Sequence, residues 1–496
     1  MACFLRTTLT TAIGDRWNRA RWEYPVEGIV RPSIGEVCFS GLENIMRFDS
    51  IRPIVVVLLA VLFLAPGGGS SSGAETLALV GGTVIDTGEW GRSGEDIDDA
   101  VVIVEGGEIV AVGPREAVAV PDGAQVVDAG GKYIVPGLVD GFAAINNQAY
   151  ANAYLASGVT SIISVDGGRR GGLFLEADPG PTIHRLDSVG SERATLEEHL
   201  AETNRLAKVG VEILLLMYKL PPDQLQALAE RARSHGMGTI GELGLASYQQ
   251  GIDAGLNAFV HTTRYSLDMA PEEMAQAVVE QPFSDDLDSP KWTYYKWLSG
   301  LSPFDERLES HAKVLASGSI ALMPTFALLY LDQPWAENPW DEPVADLLDP
   351  LDINRPANRE TGRHEGSVAH QVAYAAMARS ELMLEEAYRW AGANYMAGSG
   401  TDVWGTMPGI SLHQELEGLS RIGMSPREVL AAATSNFSRI FPNWGATGEV
   451  RAGQRADLLV LSEDPREGVE NLRSIETLIL AGEIIDLADL LSAQRH

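Results

Sequence analysis

The chain has 496 residues, with 37 Lys and Arg against 68 Asp and Glu, a formal net charge of −31. That length exceeds what one small core fills and suits a barrel with an attached second domain. The acidity argues against nucleic acid as a partner, because its phosphates would be repelled, and reads as solubility or salt adaptation.

Residues 46–74 read as a signal peptide behind an upstream extension, 1–45. Arg47 and Arg52 precede an unbroken apolar run, Ile54 to Ala65 (IVVVLLAVLFLA), and Ser72 and Ala74 have the small-residue spacing a signal peptidase reads. The run is too short to cross a bilayer core, which needs about 20 residues. A short membrane anchor is the competing reading. Export to a periplasmic or extracellular location, with no stable membrane span after cleavage, is the expectation. Both cysteines, Cys3 and Cys38, lie in the extension, so the mature chain would hold none. This excludes a cysteine nucleophile and a thiolate metal site.

From Thr76 the pattern is short alternating runs broken by Gly-Gly and Gly-Glu turns: LALVGGTVID, AVVIVEGGEIVAVG and AQVVDAGGKYIV. The C-terminus resumes it in TGEVRAGQRADLLVLSED and IETLILAGEIID. Two distant segments with one pattern predict a composite β-sandwich domain from 75–132 and 445–490. Between them, 133–444, apolar strands of four to seven residues alternate with helical stretches. This predicts a parallel sheet with crossover helices, an α/β (β/α)8 TIM-like barrel.

The expected strands are Tyr133 to Val139, Thr160 to Val165, Thr182 to Leu186, Val211 to Met217, Thr239 to Glu242, Ala258 to His261, Ile320 to Pro324 and Tyr395 to Asp402. Helices are expected over Pro222 to Ser234 and Pro426 to Phe441. Two connections are long: Thr262 to Ser319, with Trp292, Tyr294, Tyr295 and Trp297, and Thr325 to Asn394, with Trp335 and Trp340. Long loops after strands suggest the walls or lid of a pocket, or aromatics that pack the loops down. In such a barrel the chemistry sits at the C-terminal strand ends.

The phrases IVPGLVD, AGSGTDVW, SPREVLAAATSNFSRIF and GEVRAGQRADLLVLSEDP, in this order from Thr76 to Asp486, resemble the amidohydrolase superfamily, nearest its imidazolonepropionase-like and prolidase-like branch. The resemblance implies hydrolysis of C–N and related bonds with one or two divalent metals. A metal lowers the pKa of bound water toward 7 and polarises the carbonyl, while an aspartate takes the proton. The family pattern is Asp-x-His-x-His on strand 1, a carboxylated Lys or a Glu on strand 4, His on strands 5 and 6, and Asp on strand 8. Asp140 matches, but the two histidine positions hold Phe142 and Ala144, and the lysine position holds Leu215. None of these three can ligate a metal. Lys219 shares a face with Leu215 but lies roughly 13 Å further along, at about 3.3 Å per residue. Strand 5 places Glu242 where the family has histidine, strand 6 keeps His261 and strand 8 keeps Asp402. Asp166 reads as structural, and His364 and His370 as solvent or loop residues.

Two functions follow. One is an exported amidohydrolase-like hydrolase of amide, cyclic amide or peptide bonds. In it, Glu242, His261 and Asp402 hold one divalent ion, zinc or similar, or act without metal, with Asp402 as base and His261 as proton donor. The other is an inactive relative that binds a small molecule or a partner. Scaffolding active relatives is a third and weaker option. A homo-oligomer such as a dimer is compatible with either. Asn146, Asn147 and Gln148 then line a pocket that only binds.

Overall fold

The computed structural model describes residues 76–165, 173–281, 286–441 and 443–492. The signal-peptide reading and Asp166 lie outside them. No helix among the described residues is long and apolar enough to cross a membrane.

Five strands open the described chain: β1 Leu77–Val84, β2 Ile97–Glu105, β3 Glu108–Pro114, β4 Gln125–Asp128 and β5 Tyr133–Pro136. Eight more follow: β6 Leu138–Ala143, β7 Val159–Val165, β8 Thr182–Val189, β9 Ile213–Leu216, β10 Gly238–Gly241, β11 Ala258–Val260, β12 Ala321–Met323 and β13 Asn394–Tyr395. These eight pair in sequence order, each parallel to the next. The curl returns on itself where Gly141 N–H donates to Ala397 O at 2.9 Å and Gly400 N–H to Phe142 O at 2.8 Å. Three last strands, β14 Leu458–Leu461, β15 Ile475–Leu480 and β16 Glu483–Ile485, rejoin the opening ones in one hydrogen-bonded sheet, order β16-β15-β14-β5-β1-β2-β3. Alternating side chains fill one apolar cluster from both ends of the chain: Leu77, Leu79, Val102 and Val104 with Leu458, Val460 and Ile479.

The run read as one strand, Tyr133 to Val139, is two strands in two sheets. Gly137 is the crossing. Its N–H donates to Asp457 O at 2.8 Å on the small-sheet side, and Leu138 N–H donates to Gly158 O at 2.9 Å on the barrel side. A Cβ at residue 137 would collide with the Thr160 side chain, so only glycine passes. The helix expected over Pro426 to Phe441 likewise divides into Pro426–Ala432 and Asn436–Ile440. The carbonyls of Ala432 and Ala433 accept from Ala397 N–H and Val139 N–H of the barrel, and so cannot serve a continuing helix.

Inside the barrel, Val139, Ile163, Ile213, Leu215, Ile240 and Val260 form a dry core with Met323 and Met396. Its N-terminal end is shut by aromatic packing. Trp444 stacks on His184 at 3.8 Å, and Phe441 abuts Gly238 at the start of β10. The opposite end, where β6 to β13 finish, is the one at which such a barrel carries its chemistry.

Candidate functional site

Within β6, Asp140 is fully buried and engaged by the segment that follows the last barrel strand. Ser399 donates its N–H to one carboxylate oxygen at 2.8 Å and its hydroxyl to the other at 2.6 Å; Phe142 N–H adds a third bond at 3.3 Å. Burial outweighs these donors and lifts the carboxyl pKa to about 6. Asp140 therefore joins the first strand to the last. Two residues on, the Phe142 ring meets the His261 imidazole edge-on, centroids 5.0 Å apart, and Ala144 is buried. Leu215 lies inside the barrel core. The amide tail braces loops. Asn146 donates to Asp402, Asn147 caps the helix Gln148–Ala156 and donates to Asp352, and Gln148 donates to Asn152 and Pro179 O.

The ends of β10 and β11 bring Glu242 and His261 together, Oε1 to Nε2 at 3.7 Å, each 7% exposed. Thr325, after β12, meets His261 Nδ1 at 2.6 Å through its hydroxyl. The Thr325 hydroxyl also meets Pro324 O. Both His261 (φ 54°) and Thr325 (φ 63°) sit in the left-handed region that side chains avoid. Glu415 clamps the second of them, accepting from Thr325 N–H at 3.0 Å and Ala327 N–H at 3.1 Å.

Asp402 follows β13 and is 8% exposed. Asn146 Nδ2 donates to one oxygen at 2.8 Å and Asn354 N–H to the other at 3.0 Å. Among the described residues no three His, Cys, Asp or Glu side chains converge as a metal-binding group. Lys219 lies over the Tyr218 ring at 5.9 Å. His364 packs beside Gly405 in the loop after Asp402, and His370 lies near the start of the helix Val368–Ala391 beside its capping residue Ser367.

Sequence reasoning missed two groups. The first is a set of buried glutamates behind the β11–β13 ends. Glu385 accepts from the Thr262 hydroxyl and from Tyr395 OH, and burial raises its pKa to about 7. Burial also holds Glu381 and Glu415 well above the carboxylate range. Their signal was an acid at i and i+4 on a helix of mixed character, which reads as solvated. The second is cationic. The Arg264 guanidinium lies 4.4 Å from the Trp404 ring centre, and the buried Lys291 ammonium lies 4.7 Å from that of Tyr295, with Tyr294 and Tyr265 at 5.6 and 5.7 Å. Of the six aromatics expected as pocket walls, Tyr295 serves here. It also donates its OH to Arg264 O at 2.7 Å. Trp292 and Tyr294 are buried beside it, whereas Trp335 and Trp340 pack against Arg421 and Arg359.

No family model matches the chain. Over 86 residues it is 33% identical to adenine deaminase 3 of Rhizobium meliloti (strain 1021), a stretch that is 16% of this chain and 14% of that protein. The match thus spans about a seventh of the relative's length. Among solved structures, a bottromycin amidohydrolase superposes with a TM-score of 0.61 at 18% identity, covering 84% of this chain and 88% of its own. The ochratoxinase of A. niger superposes with a TM-score of 0.57 at 16% identity, covering 83% and 96%. With eight parallel strands around one core and a separate sheet built from both ends, the chain has the amidohydrolase fold.

Proposed function

We propose that the chain is an exported hydrolase of C–N bonds (amide, cyclic amide or peptide) working through Glu242, His261 and Asp402. The observation that carries the reading is the Glu242–His261 pair, held by strained backbone at the barrel mouth and oriented by Thr325. Strain of about 1–3 kcal/mol per residue persists where the surroundings enforce it, and such sites cluster at active centres.

The donor set does not fit the metal pair of the fold family. Asp140 is committed to Ser399, and Phe142, Ala144 and Leu215 offer no lone pairs. The proposed chemistry is therefore acid–base. Asp402 takes a proton from the water whose oxygen attacks the carbonyl carbon. The protonated His261 Nε2, supported by Glu242, gives its proton to the leaving nitrogen as the C–N bond breaks. The Asn146 and Asn354 donors hold the Asp402 carboxylate in place for the first step.

The test is hydrolysis of acyl-amino acids, dipeptides and cyclic amides by chelator-treated protein, alongside Asp402→Ala. Turnover that survives chelation and disappears in the variant supports the reading. Absence of turnover on the whole panel, with or without added zinc, sinks it. The apolar side chains at positions 142, 144 and 215 favour a second reading, a binding protein without catalysis. It predicts ligand affinity that Asp402→Ala leaves intact and no turnover. Export is tested by the N-terminus of the native protein, expected near residue 75.

A further inference from the structure

In a chain of net charge −31, two cations at the barrel mouth stand without a carboxylate in ion-pair range among the described residues. Arg264 closes the turn after β11, its N–H donating to His261 O at 2.9 Å, and its guanidinium lies against Trp404, two residues beyond Asp402. Lys291 is 5% exposed on the helix Pro290–Leu298, inside the rings of Tyr265, Tyr294 and Tyr295. Burial, with the Arg264 charge adding to it, lowers the Lys291 pKa to about 7. The carboxyls whose fields reach Arg264 are otherwise occupied. Glu242 pairs with His261, and burial with Glu385 and Glu415 pushes the Glu381 pKa well above the ordinary carboxylate value. Aromatic faces supply part of what a desolvated cation loses, and an anion supplies the rest.

We propose that Arg264 and Lys291 receive a carboxylate of the substrate within this aromatic box, so that the substrate is an acid whose carboxylate lies near the scissile C–N bond: an acyl-amino acid or a short peptide. This rests on the hydrolase reading above. The Arg264 guanidinium, 4.4 Å from the Trp404 ring centre, carries the planar fork of N–H donors that can grip a carboxylate with two parallel bonds.

The experiment is calorimetric binding to the full chain of three acids and their primary amides: N-acetyl-phenylalanine, N-acetyl-leucine and phenylacetate. The acids are expected to bind at least about tenfold more tightly than their amides, the preference expected of a desolvated charged pair. Arg264→Gln erases the preference, and Lys291→Met reduces it. Arg264→Lys, which keeps the charge and gives up the fork, lies between and serves if the glutamine variant does not fold. The proposal is overturned if the acids bind no better than the amides, if Arg264→Gln keeps the full preference, or if phenyl phosphate binds more tightly than phenylacetate. An acid preference with no turnover on any compound removes the hydrolase reading and leaves the anion site. Turnover without acid preference removes the anion site alone.

Discussion

Two corners of one barrel mouth have been put to different uses. Where β6 meets the segment beyond β13, Asp140 is buried under Ser399 and works as a joint between the first and last strands. At the ends of β10 and β11, Glu242 and His261 keep polar atoms pointed at one another, and the loop donors on Asp402 hold a second carboxylate ready. The donors on Asp140 come from the segment just beyond β13, whereas those on Asp402 come from Asn146 and Asn354 in the connecting loops.

The contrast is breakable, starting with the largest effect. Asp402→Ala or His261→Ala is expected to lower kcat/KM by about 10³-fold with little change in the unfolding midpoint. Steady-state kinetics and urea unfolding on the same preparations check both halves. Asp140→Ala should do the reverse. Leaving the Ser399 donors buried and unmatched costs about 3 kcal/mol in urea unfolding, while the folded fraction keeps its turnover within about threefold. A loss of turnover without loss of stability would merge the two corners into one.

The buried acids behind the mouth set the pH dependence. Glu385 and Asp140 have folded pKa values of about 7 and about 6, both above their unfolded values. Between roughly pH 4.5 and 7 the unfolded chain releases these protons first, so stability falls as pH rises and levels off beyond about pH 7. Glu385→Gln should flatten the fall between pH 5 and 8 by on the order of 2 kcal/mol, measured as unfolding free energy at the two pH values. The smallest effect expected is that of Thr325→Val. Removing the hydroxyl that meets His261 Nδ1 frees the ring to reorient and lowers kcat by about tenfold, with the acid limb of the pH–rate profile displaced. An unchanged profile would mean that the hydroxyl does not orient the imidazole.

The end of β11 proved readable because an apolar run that stops at a titratable residue is a local signal, as at AFVHTT, whereas the strand expected to run from Tyr395 to Asp402 stops at Tyr395. The barrel order and the second sheet followed from the same spacing. What escaped was non-local. Asp140 looks like a metal ligand until Ser399, 259 residues away, is seen to occupy it. The apolar run through Pro136 and Gly137 has no break in pattern, yet the chain changes sheets there because glycine alone clears Thr160. Aromatic residues in the long connections announced a wall, but not which cations they would surround.

The crossing at Gly137 also bears on when the molecule can fold. β1 pairs with β2 and β5 from nearby sequence, but the other edge of β5 must wait for β14, and Thr87 donates its hydroxyl to Gly448 O across 361 residues. Closing so long a loop delays the small sheet until nearly the whole chain has been made. A ribosome-bound chain that stops short of β14 would hold an early hairpin with an unpaired edge, a species for chaperones to shield until the last strands emerge.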